Sequence, residues 1–471
     1  MGVQSLSFLL FLTVTVCACL PAGRRGSRPA RAVLCAASLV FYLSGTQPLA
    51  GLAVLALGTA VTGFAVRFMA GAHRRAAFAA AVCWHIAVLA VFKYAGFFTG
   101  GAWSIGWVPV GLSFFTFQQI WYLKAVFCGE YAPQERPDDL VLYAFFFPAV
   151  TSGPILRPGD FFPKLEAAFR PTWEDAAAGL YGICVGTVKK VLLADPLGAV
   201  VNNGWAGLSS ISAPEAWIVM LCYTLQLYLD FSAYCDIAVG AGRLLGIRLP
   251  VNFRSPYRSL SVTEFWKRWH ITLTDFLRAC VYFPLGGSRK GAVRACVNIM
   301  AVFLISGLWH GTGWTFIIWG ALHGAAQVME RLAGRKTERI PKFLRWCVTF
   351  AFINVAWVFF RAPDAASALT LLSRAVTGGM PGYSGWLVDG VFASEVSAVK
   401  ILFPALTPWC SELVLAVLLT GGMITVLWPR NTADVTEIFR PRGWQCAVLA
   451  ALMGWAVLSF SGIATFIYSN F

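Results

Sequence analysis

The sequence has 471 residues, of which 58% are hydrophobic and 13% charged, with a mean hydropathy of +0.67. A water-soluble domain carries charge on about a quarter of its residues. The composition therefore argues against a soluble enzyme, a nucleic-acid-binding domain or a disordered chain, and for a polytopic membrane protein. The net charge of +15, from 37 Lys and Arg against 22 Asp and Glu, then belongs to loops on the cytoplasmic side of a bilayer and not to a nucleic-acid surface.

Along the chain, the first apolar run, Ser5 to Leu20, is followed, not preceded, by Arg24, Arg25, Arg28 and Arg31. That order is wrong for a cleaved secretory signal, and the run reads as a retained span with its N-terminus outside. Further runs fall at roughly 5–21, 32–47, 49–66, 76–98, 109–127, 177–203, 216–242, 296–308, 314–330, 345–361, 411–428 and 444–466. With about 20 apolar residues needed per span, they predict an all-α protein with 11–12 crossings. The 296–308 run is short and reads as half of a hairpin that does not cross fully. Leu140 to Val150 reads as re-entrant. Basic residues cluster at 24–31, 67–75, 243–294, 331–342 and 430–442. All fall on the cytoplasmic side if 296–330 enters from the cytoplasm and returns to it, which leaves both termini outside. Three sections result: N-terminal spans over 1–135, a core over 136–330 and C-terminal spans over 331–471.

The hairpin's turn, Ile305-Ser-Gly-Leu-Trp-His-Gly-Thr-Gly-Trp314, carries His310 to membrane depth. Irregular backbone is tolerated there only inside protein or beside a water-filled cavity, so a central cavity is expected. Ser259 to His270 reads as a short amphipathic helix near the cytoplasmic face, started by Ser261 or Thr263 with Glu264 in its first turn. Gly286 to Gly291 and Pro154 to Pro163 read as cytoplasmic surface. The 13 cysteines fall mostly in apolar runs without a CxxC pair. They act as small hydrophobes, with no metal site or disulfide framework indicated.

Five histidines are present. His73, beside Arg74 and Arg75, reads as surface, and His85 as a packed, hydrogen-bonded residue within a span. His310 and His323 admit two readings: buried imidazoles satisfied by backbone carbonyls, or a general base in a membrane cavity, for which a neutral imidazole is suited. His270 approaches from the cytoplasmic side, so that it and His310 mark two ends of one passage. Asp230 and Asp236 either bind polar groups of a cavity or pair with Lys189 and Lys190, as membrane charges usually do. No GxSxG or triad order occurs, which favours direct attack by a substrate hydroxyl over a covalent enzyme intermediate.

These residues carry a resemblance. Phe145-Phe-Phe-Pro148, Ser152-Gly-Pro-Ile-Leu-Arg157, Gly186 to Asp195, Tyr228 to Ile237, Pro250 to Pro256, Phe265 to Thr274, Tyr282 to Ser288, Gly307-Leu-Trp-His-Gly311 and the ending Phe466 to Phe471 together resemble the membrane-bound O-acyltransferases. Within them the sequence resembles the alginate O-acetylation proteins and their relatives, with teichoic-acid D-alanylation transferases sharing the architecture. The resemblance implies transfer of an acyl group from a cytosolic thioester, acetyl-CoA or another, to a hydroxyl of an extracytoplasmic polysaccharide. The setting it implies is the bacterial cytoplasmic (inner) membrane, with outer-side acetylation partner proteins completing delivery. By similarity His310 takes the position of the essential histidine and His270 that of a second. Trp309, His323, Asp230, Asp236 and Arg268 are the expected substrate-binding residues, with no metal or bound cofactor. Alginate, cellulose, another exopolysaccharide and peptidoglycan stay open as acceptors. The competing classes are a transporter or flippase, for which midplane charges and inverted repeats are expected, and a scaffold anchoring an outer-side acetylase.

Overall fold

The computed structural model describes residues 2–3, 5–45, 47–134, 136–380, 383 and 385–460. Among these residues the secondary structure is entirely helical, as a bilayer requires of a chain that must satisfy its own backbone. Eight helical stretches are long and apolar enough to cross a membrane: Leu6–Arg25, Pro48–Phe68, Arg74–Phe98, Trp173–Ala206, Ala213–Leu244, Ala292–His310, Lys342–Arg361 and Pro404–Leu427. This is a multi-pass membrane protein.

The expected spans differ from these in an instructive way. Ser27–Leu43, Leu112–Phe127, Trp314–Ala333 and Gly443–Leu458 are helices where apolar runs predict them, but they are shorter or more polar than a full span. Ser27–Leu43 carries Arg28 and Arg31, and Trp314–Ala333 ends on Glu330 and Arg331. The 296–308 run, in contrast, extends to the 19 residues Ala292–His310 and reaches spanning length. The last predicted run continues past residue 460, and that part, with the Phe466 to Phe471 motif, lies outside the described residues.

The core is organised around Ala213–Leu244, the most buried of the spans. It starts at a capping box in which the Ser212 hydroxyl and Glu215 carboxylate satisfy free N–H groups, with Pro214 in the first turn. Small residues let it lie against Trp173–Val188. A Cβ on Gly240 would stand 2.6 Å from the Gly179 carbonyl oxygen, so the two backbones approach as closely as glycine permits. The polar members of these helices pair inward. Lys189 lies 2.5 Å from Asp236, and Lys190 lies 2.8 Å from Asp195 and 2.9 Å from Asp230. Both lysines sit where the helix loosens into a π-helical turn over Lys189–Ala194.

One loop expectation is corrected. Ser152 to Leu156 is buried and only the later part of Pro154 to Pro163 reaches the surface, because Ile155 and Leu156 pack into the aromatic core. The helix Val262–Arg268 is capped by Ser261, whose hydroxyl accepts from Glu264 N at 3.0 Å. It is amphipathic: Phe265 and Trp266, with Trp269 just beyond, are buried inside the protein, while Lys267 is exposed and Thr263, Glu264 and Arg268 are partly so. The re-entrant reading of Leu140 to Val150 fits Pro137–Phe145, which breaks at Phe146 into a fully buried turn.

Arg31 also leaves the expected basic loop. Its guanidinium is buried 2.9 Å from the buried Asp139 carboxylate, which Gln134 Nε2 also meets at 2.8 Å. Removing one partner of a buried ion pair typically costs ~3–5 kcal/mol. Asp139→Asn should therefore lower the thermal unfolding temperature of the purified protein markedly. The double change Arg31→Met with Asp139→Leu should recover most of that loss.

Candidate active site

The hairpin Ala292–His310 and Trp314–Ala333 is held by backbone contact. A Cβ on Gly307 would lie 2.4 Å from the Phe316 carbonyl oxygen, and one on Gly320 2.4 Å from that of Phe303. The first arm ends because Gly311 turns extended (φ −169°, ψ 169°). His310 is thus the last helical residue, with its ring directed into the protein. The imidazole is 1% exposed and lies among Trp309, Trp319 and Phe360, with ring centroids 4.8, 5.1 and 5.2 Å away. The open central cavity expected around it is replaced here by close aromatic packing, so a substrate reaches the ring only through side-chain movement.

His270 also neighbours the Trp309 indole, with centroids 6.1 Å apart, and contacts Phe231 at 4.9 Å. The two imidazoles therefore share one indole as a neighbour. His270 is fully buried, and neither ring nitrogen has a hydrogen-bond partner among the described residues. Its backbone is left-handed (φ 44°, ψ 54°), a conformation strained for a side chain of this size. The surroundings hold it there. Ile271 N donates to the Asn252 carbonyl at 3.0 Å, and Thr272 N and Oγ1 donate to Asn252 Oδ1 at 3.2 and 2.7 Å. Arg254 N donates to the Arg268 carbonyl at 2.9 Å, and Ile155 N to Thr272 Oγ1 at 3.0 Å. Unpaired buried polar atoms and maintained strain both concentrate at functional sites.

His323 is fixed differently. Its Nδ1 accepts from Trp266 Nε1 at 3.1 Å, so an indole satisfies it and not a backbone carbonyl, and its ring lies 4.9 Å from Trp319. Trp309 donates through Nε1 to the Ser113 carbonyl at 3.3 Å and stacks on Phe117 at 5.2 Å. His310, His270, Trp309 and His323 thus form one aromatic cluster. The other three candidates point elsewhere. Asp230 and Asp236 are committed to Lys190 and Lys189. Arg268 is partly exposed and bridges to Glu264 at 2.8 Å. His85 bonds the Thr62 hydroxyl at 2.9 Å, as a packed residue should, and His73 is exposed.

Sequence reasoning passed over Lys93. Its ammonium donates to the Trp309 carbonyl at 2.5 Å and to Ser113 Oγ at 3.3 Å, and stands 6.0 Å from the Trp309 ring centroid. It sits on a π-helical turn, Ala90–Tyr94, and Tyr94 OH donates to the Leu308 carbonyl. The available signal was a lone lysine inside an apolar run, which is a functional candidate by default. The cation meets the carbonyl end of the His310 helix, where the helix dipole is negative. The hairpin geometry gives a test of packing. Gly307→Ala should cost ~1–3 kcal/mol through overpacking, read as a lower unfolding temperature. Gly454→Ala, at an exposed helical position where an added Cβ would meet nothing within 4 Å, should be nearly neutral.

The profile of "MBOAT, membrane-bound O-acyltransferase family" matches residues 139–362. A peptidoglycan O-acetyltransferase of Helicobacter pylori is 38% identical over 341 residues, 64% of either chain. A probable alginate O-acetylase AlgI of Pseudomonas putida is 34% identical over 334 residues, 67% of either chain. A teichoic acid D-alanyltransferase of Bacillus subtilis is 28% identical over 271 residues, covering 53% of this chain and 68% of that one. The chain spans 64% of the length of the Helicobacter relative. The chain belongs to the membrane-bound O-acyltransferase family.

Proposed function

We propose that the protein moves an acyl group, acetyl in the reading its relatives favour, from a cytosolic thioester such as acetyl-CoA to a hydroxyl of an extracytoplasmic polysaccharide. Delivery runs directly or through an outer-side partner protein, and the setting is the bacterial inner membrane. The observation that carries this reading is the pair of buried imidazoles, His310 and His270, that both pack against one indole, Trp309, at the turn of the hairpin.

In this reading His310 is the general base. A buried imidazole is held neutral and is ready to accept a proton. As the acceptor hydroxyl attacks the thioester carbonyl, its proton passes to His310, a C–O bond forms, the C–S bond breaks, and the proton leaves with the departing thiolate. His270 supplies a second imidazole beside Trp309, held in place by the hydrogen bonds around Asn252. Trp309, Trp319 and His323 exclude water from the reacting atoms, which limits hydrolysis of the thioester. Arg268 and the neighbouring basic residues attract the phosphates of a nucleotide-linked donor. Asp230 and Asp236 serve as the charge partners of the two lysines.

Two measurements test the chemistry on purified protein with labelled acetyl-CoA and an acceptor. His310→Ala should lower transfer by about 10²–10⁴-fold, the usual contribution of general-base help, with membrane protein level unchanged. Full transfer in that variant would exclude His310 as the base, and transport of substrate without release of free CoA would favour a flippase. Lys93→Met should lower kcat about tenfold or more, as expected for a lost charge-assisted hydrogen bond, with little change in KM. Lys93→Arg should retain part of the activity.

A further inference from the structure

Away from the histidines, a groove of about 720 Å³ lies between Ser27–Leu43, Pro48–Phe68 and Pro137–Phe145. Tyr122 and Phe145 are buried at its base, and Leu39, Ala56, Ala60, Phe64 and Val141 line it with side chains exposed on the outer surface of their helices. Of these helices Pro48–Phe68 is long and apolar enough to cross a membrane, and an apolar surface on such a helix is suited to hydrocarbon contact. The groove's volume is in the range of small-ligand sites, and a void there would forfeit dispersion contacts along its whole lining.

One end of the groove is charged. Arg67, in the last turn of Pro48–Phe68, lines it, is exposed, and has no ion pair or hydrogen bond among the described residues. The other nearby cation is spent: Arg31, one turn from groove-lining Cys35, is neutralised by Asp139. Arg74 follows across a short turn, but its guanidinium is engaged by the Phe127 carbonyl and ring, so Arg67 is the cation that lines the groove. An apolar hollow headed by a free guanidinium is complementary to acyl chains joined to a phosphate. Basic pockets between transmembrane helices hold anionic lipid headgroups in this way.

We propose that this groove is a binding site for an anionic glycerophospholipid of the surrounding bilayer, with an acyl chain in the hollow and the phosphate on Arg67. This site is separate from the histidine cluster and does not depend on the transferase reading.

The full-length protein, purified in mild detergent and mixed with equal amounts of phosphatidylglycerol and phosphatidylcholine, is measured by native mass spectrometry. It should retain phosphatidylglycerol preferentially. Arg67→Ala should weaken that retention about fivefold, the effect of losing one basic group at an anionic surface. Ala60→Trp, filling the hollow from an exposed helix position, should reduce retention of both lipids while leaving the unfolding temperature unchanged. Equal retention of the two lipids by the unaltered protein, undiminished retention by Arg67→Ala, or undiminished retention by Ala60→Trp would each overturn the proposal.

Discussion

Hydrocarbon offers no partner to a charge or a backbone polar group, and this absence arranges much of the polar architecture of this protein. The buried charges of its helices are brought to one another or to carbonyls: Arg31 to Asp139, Lys189 to Asp236, Lys190 to Asp230 and Asp195, and Lys93 to the Trp309 carbonyl. All but the Lys190–Asp195 pair join different helices, so the same interactions that make burial tolerable also fix which helices are neighbours. Two of the lysine positions, Lys93 and the Lys189–Lys190 pair, fall on π-helical turns, where the loosened backbone redirects side chains.

The placement of the histidines follows from a second constraint, the closeness of backbones. Gly307 and Gly320 bring the hairpin arms together until a side chain at either position would strike a carbonyl, and the helix then ends at Gly311, leaving His310 at its inner terminus. His270 is held by the opposite strategy. A chain segment at 252–254 bonds backbone to backbone and side chain to backbone against 268–272, which maintains a left-handed histidine that isolated peptide preferences disfavour. The two imidazoles meet at Trp309 because one is set by close packing and the other by hydrogen bonding.

Much of this was legible in the sequence, and the failures share a cause. Hydropathy located the helices, and the lysine–aspartate pairs were anticipated because membrane charges pair. The Ser261 cap was readable from its spacing to Glu264. What local pattern does not encode is burial against distant segments. Val262–Arg268 reads as amphipathic and is so, but its sequence does not say that Phe265, Trp266 and Trp269 are covered by distant protein segments. Arg31 reads as loop charge until Asp139, 108 residues away, covers it. The expected central cavity rested on a rule about irregular backbone that is satisfied equally well by packed aromatics, and the structure takes that route.

The family profile covers residues 139–362, but the cluster around His310 is not confined to them. Ser113 and Phe117 support the Trp309 indole, Phe114 stacks near His270, and Lys93 and Tyr94 bond the last carbonyls of the His310 helix. All five residues come from the N-terminal section. Without them the last carbonyls of the His310 helix would lose these donors, and a buried carbonyl left without a partner is costly. The N-terminal helices therefore complete the environment of the histidine: Lys93 and Tyr94 satisfy the carbonyls of the two residues before it.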